Sequence, residues 1–247
     1  MSSLDSIPIV AFDEIDSTNA EARRRAETGE TGPLWITAAR QSAGRGRRGR
    51  NWSTEGGNLA ATLLDTTDLP PVEAAQISFI AALAVCDLAR RSIAPGRVSL
   101  KWPNDLMIDG KKAAGILVES GQRPDGRLWL AVGVGVNLAH SPDLPDRPTI
   151  SIAEAGAVPP TPREALDLLA ASFAGWMGAW RSQGFTAIAE AWTVRAHGLG
   201  QPCVARPGSE VLRGVAEGLD IDGALRLRLP DGAIRRITAG DVFFEGA

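Results

Sequence analysis

Residues 98–136 read VSLKWPNDLMIDGKKAAGILVESGQRPDGRLWLAVGVGV, and this stretch decides the fold. Two hairpin turn signals, Asp109-Gly110 and Asp125-Gly126, separate runs rich in apolar and β-branched residues. The runs predict strands at 98–102, 111–119 and 128–136. Connections this short join only antiparallel neighbours, because a parallel crossover needs roughly a dozen residues or more. The stretch therefore predicts a mainly antiparallel sheet.

Apolar periodicity on either side of this stretch predicts helices that pack on the sheet. Thr18 with Glu21, and Thr161 with Glu164, match the capping-box pattern, so each threonine is expected to be the N-cap of a helix. The second helix carries an apolar stripe at spacings of three and four, typical of a core-facing side. The stripe consists of Leu166, Leu169, Phe173, Trp176 and Trp180. Further strands are expected at 34–38 and 59–64, and further helices at 73–91 and 186–196.

The pattern changes after Gly200 to short strands separated by turn signals. Leucines alternate with arginines at 225–229, as in a half-buried strand, and Asp-Gly pairs stand on both sides. Several short strands of this kind indicate a small β-barrel. We therefore expect an α+β fold, with a mainly antiparallel sheet and packed helices at 1–198 and a C-terminal barrel at 199–247.

Composition limits the classes of function. The 247 residues are 44% hydrophobic and 22% charged, with a net charge of -3 and a pI near 5.5. These values argue against a general nucleic-acid binder, whose whole surface would be basic. Cys86 and Cys203 lack metal-ligand spacing, and two histidines are too few for the usual histidine metal site or catalytic triad. Residues 1–10 show no signal peptide, and no stretch approaches the roughly 20 apolar residues of a membrane span, so we expect a cytoplasmic protein.

Residues 44–50, GRGRRGR, combine three glycines with four arginines. The glycines let the backbone pass close to a ligand, and the arginines supply permanently charged, planar donors. Phosphate is the natural ligand for such a segment, whether it belongs to a nucleotide or to a nucleic acid. An arginine–glycine arm that binds a DNA minor groove or RNA is usually flanked by polar sequence. This segment instead lies between predicted strands, beside Gln41 and Trp52.

Residues 101–105, KWPND, end a predicted strand in front of the Asp109-Gly110 turn. The turn should bring Lys112 back alongside Asn104 and Asp105, so that an amide, a carboxylate and an ammonium converge. Such a set can hold a nucleotide, bind Mg²⁺ through the carboxylate and neutralise charge on phosphorus. The alternative is a surface hairpin with a Lys–Asp ion pair that contributes little to stability.

Gly133 and Gly135 stand inside a predicted strand that ends at Asn137. Glycines at these positions leave room for something to lie against the strand. Close packing of a helix on the sheet is the alternative explanation. A dinucleotide-binding motif is excluded, because no helix begins directly after the strand.

Four segments together, in this order and spacing, resemble the biotin–protein ligase family. They are residues 17–19 (STN), Gln41 with 44–50, residues 101–105, and residues 112–119 (KAAGILVE). The resemblance extends from about residue 10 to the end of the chain. It implies a class II synthetase-like catalytic domain at 1–198 and an SH3-like barrel at 199–247. It also implies the monofunctional form, because the motifs begin by residue 17 and leave no room for the DNA-binding domain that some members carry.

The resemblance implies a ligase reaction with biotin and ATP as substrates, assisted by Mg²⁺, and with no tightly bound cofactor. Biotin is activated to biotinyl-5′-AMP and then transferred to a lysine of a biotin carboxyl carrier domain in a biotin-dependent carboxylase. No DNA or membrane partner is expected, and both a monomer and a homodimer remain open. A lipoate–protein ligase is the nearest alternative, but its typical Arg-Arg-x-Ser-Gly-Gly-Gly loop is absent.

The family pattern also implies roles for individual residues. Lys112 would contact the biotin carboxylate and the α-phosphate, Arg47 would close over the adenylate, and Asp105 would position the acceptor lysine or help to hold Mg²⁺. The expected biotin contacts are Ser17, Thr18, Asn19, Gln41, Gly44, Arg45, Gly46, Arg47, Lys112 and Gly115. The expected ATP contacts are Arg47, Arg50, Trp52, Asn104, Lys112 and Asn137, with Mg²⁺ held mainly by the ATP phosphates. Residues 140–150 correspond to the family's variable loop over the adenine.

Overall fold

The computed structural model describes residues 7–54, 56–144 and 147–244. The elements of the main sheet and its helices are β1 (Ile9–Ile15), α1 (Thr18–Glu27), β2 (Leu34–Gln41), β3 (Leu59–Thr67), α2 (Pro71–Ala74), α3 (Ile77–Ala89), β4 (Val98–Lys101), β5 (Asp105–Ile108), β6 (Lys111–Gln122), β7 (Leu128–Val136) and α4 (Pro162–Thr193). The elements of the second sheet are β8 (Pro202–Arg206), β9 (Leu212–Leu219), β10 (Leu225–Arg228), β11 (Ile234–Ile237) and β12 (Asp241–Phe244). The predicted strands of the main sheet differ from the observed ones only at their ends.

The main sheet is antiparallel apart from one pair of strands. Its order is β1-β2-β3-β7-β6-β5-β4, and β1 alone pairs with its neighbour, β2, in parallel. Helix α1 makes the crossover that a parallel pair requires. The predicted mainly antiparallel sheet is confirmed. Sequence analysis missed the edge strand β1, because its residues are half-buried or exposed and lack a strong apolar alternation. It also missed β5, which pairs with β6 across the Asp109-Gly110 turn in place of the strand predicted at 98–102.

Helix α1 begins one residue earlier than the capping-box pattern predicts. Ser17 is the N-cap, and its side chain accepts a hydrogen bond from the backbone N–H of Ala20. The prediction that Thr18 is the N-cap is wrong. Its hydroxyl turns toward the sheet instead, where it lies 2.8 Å from the Thr62 hydroxyl.

Helix α3 packs between the main sheet and α4, and α1 covers the opposite face of the sheet. The helix predicted at 73–91 is divided into α2 and α3. The window Pro71–Ala89 has a mean hydropathy of 1.7 and the length of a membrane span, contrary to our expectation from the sequence. However, 72% of that window is buried inside the fold, as in the core helix of a globular protein.

Helix α4 begins at the second predicted capping box. Thr161 is the N-cap, and both reciprocal hydrogen bonds with Glu164 are formed, as predicted. Gly184 interrupts the helix with a φ of 75°, and the separate helix predicted from about 186 follows this break. Three members of the predicted apolar stripe are buried, while its two tryptophans are half-buried and pack against the core.

The second sheet is antiparallel, with the strand order β11-β10-β9-β8-β12. Within the described residues its edge strands β11 and β12 do not pair with each other, so the ladder is not a closed barrel. Its five short strands are nevertheless consistent with the SH3-like domain that we expected. The sheet docks on the main domain through Trp102, whose indole N–H donates to the Gly223 carbonyl at 3.1 Å.

Candidate active site

A cavity of about 920 Å³ lies between the main sheet, the segment 44–50 and the second sheet. Every residue that the resemblance implied for the site lines it except Gly44; those residues are Ser17, Thr18, Asn19, Gln41, Arg45, Gly46, Arg47, Arg50, Trp52, Asn104, Asp105, Lys112, Gly115 and Asn137. Gly44 lies behind the wall, where its carbonyl accepts from the Trp52 backbone N–H at 2.9 Å. The second sheet adds Arg206 and Asp241 to the lining. The sequence thus predicted positions that surround one cavity, while their individual roles stay predictions.

A row of buried polar side chains forms one part of the cavity wall, at the start of α1. Ser17, Thr18 and Asn19 are each at most 4% exposed. The Gln41 amide oxygen accepts from the Thr18 backbone N–H at 2.8 Å and lies 3.2 Å from the Thr18 hydroxyl. The Gln41 amide nitrogen donates to the Thr54 hydroxyl at 2.9 Å. Several donors and acceptors are thereby fixed within a compact area, as recognition of a small polar ring requires.

The Asn19 side chain is held by residues that the sequence did not single out. Its amide nitrogen donates to the Leu117 carbonyl at 3.2 Å and to the Glu119 carboxylate at 2.8 Å. Its amide oxygen lies 2.7 Å from the Thr62 hydroxyl. Thr62 is fully buried in β3, within the otherwise apolar run LAATLL. A hydroxyl in such a run is a weak sequence signal, because threonine is common in strands.

Glycines on β6 and β7 leave room for side chains of the protein itself. A Cβ atom on Gly133 would lie 2.1 Å from Asn19 Oδ1, and one on Gly135 would lie 2.3 Å from the Trp52 indole. A Cβ atom on Gly115 would lie 3.2 Å from the same indole. The space beside β7 is therefore filled by the protein itself: at Gly133 by Asn19 of helix α1, as in the alternative of close helix packing, and at Gly135 by Trp52.

The segment 44–50 folds over the cavity. Residues Arg47–Gly49 form a single 3-10 turn, with Arg48 in the left-handed region at a φ of 56°. The four arginines contact the body of the protein at three places: Arg45 at Glu119, Arg47 at Asn104, and Arg48 and Arg50 at Asp241. A disordered nucleic-acid arm would lack such partners, so the arrangement favours a local anion site.

Arg47 is the arginine that reaches deepest toward the KWPND segment. Its guanidinium donates to the Asn104 side-chain oxygen at 3.2 Å. Burial lowers the pKa of Arg47 below its usual value, and the negative charges of Asp241 and Asp105 oppose this effect. Arginine nevertheless stays protonated in proteins. A cation partly withdrawn from water and presenting a planar fork of donors is suited to bind a phosphate.

The second sheet reaches the arginine segment through Asp241 of β12. Its carboxylate accepts hydrogen bonds from Arg48, at 3.2 Å, and from Arg50. Burial alone would raise the pKa of Asp241, but the hydrogen bond and the positive charges of the arginines lower it below its usual value. The C-terminal domain therefore holds the segment that covers the cavity.

Lys112 and Asp105 meet across the β5–β6 hairpin. The Lys112 ammonium donates to the Asp105 carboxylate, and the two side chains are 15% and 20% exposed. The ammonium also lies 5.7 Å from the centre of the Trp52 ring. Asn104 donates to the Ile116 carbonyl at 2.6 Å, which holds its amide at the same end of the hairpin. The predicted convergence of amide, carboxylate and ammonium is confirmed, and it lines the cavity rather than an open surface.

Lys101 also lines the cavity, although sequence analysis assigned it no separate role. Burial lowers the pKa of the Lys101 ammonium, Asp105 opposes this shift, and the positive charge of Lys112 adds to it. The ammonium lies 5.7 Å from the centre of the Phe243 ring of β12. Lys101 therefore adds a second ammonium group, beside that of Lys112, to the basic part of the cavity wall.

Asn137 stands at the end of β7 and is 2% exposed. Its side-chain nitrogen donates to the Ile150 carbonyl at 3.2 Å, whereas its side-chain oxygen has no partner within the described residues. An unsatisfied acceptor in a cavity wall is suited to an N–H group of a ligand. The segment 140–150 approaches here through Pro148, whose carbonyl accepts from the Lys112 backbone N–H at 3.0 Å. Pro145 of the same segment lies outside the described residues.

The described part of the cavity wall offers no metal site made of protein ligands alone. Within the ranges that the structure covers, no three His, Cys, Asp or Glu side chains cluster as metal ligands. Asp105, the carboxylate that the sequence suggested for Mg²⁺, is paired with Lys112. A metal ion here would need oxygen ligands from a bound substrate.

Comparison with known proteins identifies the family. The profile of the Biotin/lipoate A/B protein ligase family matches residues 11–137, and that of the Biotin protein ligase C terminal domain matches residues 198–245. The biotin–acetyl-CoA-carboxylase ligase of Paracoccus denitrificans is 44% identical over 94% of this chain and 98% of its own length. The chain belongs to the biotin protein ligase family. The resemblance carried by the four sequence segments is therefore confirmed.

Further biotin protein ligases agree in sequence and in fold. The biotin–acetyl-CoA-carboxylase ligase of Mycobacterium tuberculosis is 31% identical over 92% of this chain and 85% of its own length. The biotin protein ligase from Aquifex aeolicus, solved in complex with biotin and ATP, has a TM-score of 0.79. It is 24% identical and covers 96% of this chain and 98% of that chain, so the likeness concerns the fold alone. The expected ligase fold is confirmed.

Proposed function

We propose that this chain activates biotin with ATP and transfers it to a lysine of a biotin carboxyl carrier domain, as a biotin protein ligase. The observation that carries the proposal is a single cavity of about 920 Å³ in which the polar row, the basic side chains and Asn137 face one another. Its volume falls in the range of pockets that enclose ligands of this size. Membership of the family and the 44% identity to the Paracoccus ligase support the same activity.

In the first step, a carboxylate oxygen of biotin attacks the α-phosphorus of ATP, and the bond from that phosphorus to the bridging oxygen of pyrophosphate breaks. Two anions must approach each other, so cations have to offset their charge. The Lys112 ammonium would contact both the biotin carboxylate and the α-phosphate. Arg47 would bind the phosphate from the segment above, and Arg50 would exchange Asp241 for the pyrophosphate side of ATP.

The two substrates would occupy opposite parts of the cavity. The ureido ring of biotin carries N–H and C=O groups on one small face. Ser17 and Thr18 of the polar row, together with the neighbouring Gln41, offer complementary groups. The nucleotide would lie against Asn104 and Asn137, where the free Asn137 oxygen can accept an N–H from the adenine. Mg²⁺ would arrive on the ATP phosphates, which supply the oxygen ligands that the protein wall lacks.

In the second step, the amine of the acceptor lysine attacks the acyl carbon of biotinyl-5′-AMP. The bond from that carbon to the phosphate oxygen breaks, AMP leaves, and the amine gives up a proton. Asp105, already paired with Lys112, would orient the incoming amine rather than hold Mg²⁺. The segment 44–50 would shield the adenylate from water until the acceptor arrives.

The cavity wall also argues against the two alternative functions. Lipoate carries a dithiolane ring without N–H or C=O groups, so it would leave the buried polar row unsatisfied. An arginine arm that binds nucleic acid is usually disordered, whereas the arginines of 44–50 are held by contacts with the protein. The proposal also includes a catalytic domain at 1–198, a C-terminal domain at 199–247, a cytoplasmic location and no DNA partner.

The proposal is tested by supplying the purified chain with ATP, Mg²⁺ and an unmodified carrier domain, together with either biotin or lipoate. We expect the carrier to gain the mass of one biotinyl group, with release of pyrophosphate and AMP. A carrier whose acceptor lysine is replaced by arginine is the matched control and should gain nothing. Transfer of lipoate in place of biotin, or no transfer of either, would contradict the proposal.

A further inference from the structure

Thr62 is a polar residue in an otherwise apolar run of strand β3. It lies in β3 with no exposed surface, on the side of the sheet where Leu64 packs beneath α1. A buried hydroxyl needs hydrogen-bond partners, and here both partners belong to the proposed biotin site. The Thr62 oxygen lies 2.8 Å from Thr18 Oγ1 and 2.7 Å from Asn19 Oδ1. Thr62 is absent from the residues that line the cavity, so its effect on a ligand must pass through these two side chains.

The direction of the two hydrogen bonds follows from the number of protons available. The Asn19 amide nitrogen donates to the Leu117 carbonyl and the Glu119 carboxylate, which fixes the amide with its oxygen toward Thr62. An amide oxygen can only accept, so Thr62 gives its single proton to Asn19. The contact between Thr62 and Thr18 then requires the Thr18 hydroxyl to be the donor.

The cavity side of Thr18 is fixed in a similar way. The Gln41 amide oxygen faces Thr18, because it accepts from the Thr18 backbone N–H at 2.8 Å. Since the Thr18 proton is committed to Thr62, the hydroxyl cannot also donate to Gln41 at 3.2 Å. The hydroxyl therefore offers only lone pairs to the cavity. It accepts an N–H from a ligand and repels a second acceptor.

We propose that Thr62 is a specificity-determining positioning residue, which locks Thr18 as an acceptor and so selects a ligand that carries an N–H at that point. This selection rests on the proposed function, in which an N–H of the biotin ureido ring meets Thr18. Without the Thr62 hydroxyl, only the longer contact with the Gln41 amide oxygen, at 3.2 Å, holds the Thr18 proton, which can then turn toward an acceptor in the cavity. The site then tolerates an acceptor atom where the wild type requires a donor.

The experiment compares biotin with two cyclic carbamate analogues, in each of which one ureido N–H is replaced by a ring oxygen of similar size. Kd and kcat/KM for adenylation are measured for the wild type and for Thr62→Val, Thr62→Ala and Thr62→Ser. We expect the wild type to discriminate against one carbamate isomer by at least about tenfold, because two acceptors then face each other without a proton. In the valine and alanine variants the preference for biotin over that isomer should shrink to about threefold or less. The serine variant, which keeps the hydroxyl, should retain the full preference.

The other carbamate isomer is the internal control, since its replaced atom does not meet Thr18. If Thr62 had only a structural role, its replacement would weaken the binding of biotin and of both analogues by the same factor. The preference for biotin over the first carbamate isomer would then stay unchanged in the valine and alanine variants, and this result would overturn the proposal. Loss of discrimination in the serine variant as well would also contradict it. Wild-type protein that binds no biotin at all would contradict the proposed function instead. The alanine variant supplies the comparison if the valine variant does not fold.

Discussion

Replacing Gly133 by alanine should disrupt the buried polar row. The added Cβ atom would lie 2.1 Å from Asn19 Oδ1 and 2.9 Å from its Cγ, closer than non-bonded carbon and oxygen atoms can approach. The Asn19 amide cannot step aside freely, because two hydrogen bonds from its nitrogen and one to its oxygen hold it. Each such bond contributes about 1 kcal/mol, so we expect the free energy of unfolding to fall by about 3 kcal/mol.

Urea unfolding measures this loss, and calorimetric titration should show biotin binding at least about tenfold weaker. Gly175→Ala is the matched control: Gly175 is exposed in α4, nothing lies within 4 Å of its Cβ position, and alanine there should stabilise by up to about 1 kcal/mol. Because the clash is with Asn19, Gly133→Ala should cost much less in an Asn19→Ala background. A Gly133→Ala protein as stable as the wild type, or an equal cost in both backgrounds, would refute the reasoning.

Three further substitutions and one change of pH are expected to have the following effects. Lys112→Ala should slow pyrophosphate release at least about 100-fold, because it removes the cation at the phosphorus centre, whereas Lys111→Ala, at the exposed neighbour, should leave the rate unchanged. Asp241→Asn should free the arginine segment and speed the escape of biotinyl-5′-AMP, measured as adenylate lost on dilution. Acid should do the same, because the lowered pKa of Asp241 makes its contribution complete above about pH 4 and lost as the pH falls through the folded value. Trp102→Phe should lower the free energy of unfolding in urea by about 1 kcal/mol, since the bond to Gly223 is lost. Equal rates for the two lysine variants, unchanged adenylate escape or unchanged stability would contradict the respective assignments.

The sequence predicted the hairpins because their signals are local. Asp109-Gly110 and Asp125-Gly126 join runs of strand-forming residues, and the structure has the β5–β6 and β6–β7 pairs there. The meeting of Lys112 with Asp105 follows from the first of these turns, so residue types and spacing were sufficient. The arginine segment was marked by its composition alone, because so many like charges in seven residues are rare without an anion.

What the sequence could not predict depends on contacts between distant segments. Thr18 is not the N-cap, because its hydroxyl is hydrogen-bonded to that of Thr62, which stands 44 positions further along the chain. Asp241 lies 191 positions from Arg50, and no local pattern marks it as a partner. The parallel edge strand β1 likewise depends on a crossover rather than on a turn signal. The roles of single site residues stay predictions, because a cavity wall does not specify which ligand atom each of them meets.

The most direct test of the central claim is a count of the pyrophosphate released per chain when biotin, ATP and Mg²⁺ are mixed with the protein in the absence of an acceptor. We predict a rapid burst of about one pyrophosphate per chain, with biotinyl-5′-AMP retained on the protein and identified by its mass. Omission of biotin should abolish the burst. No burst with both substrates present, or release of pyrophosphate that does not depend on biotin, would contradict the claim that this cavity joins biotin to AMP.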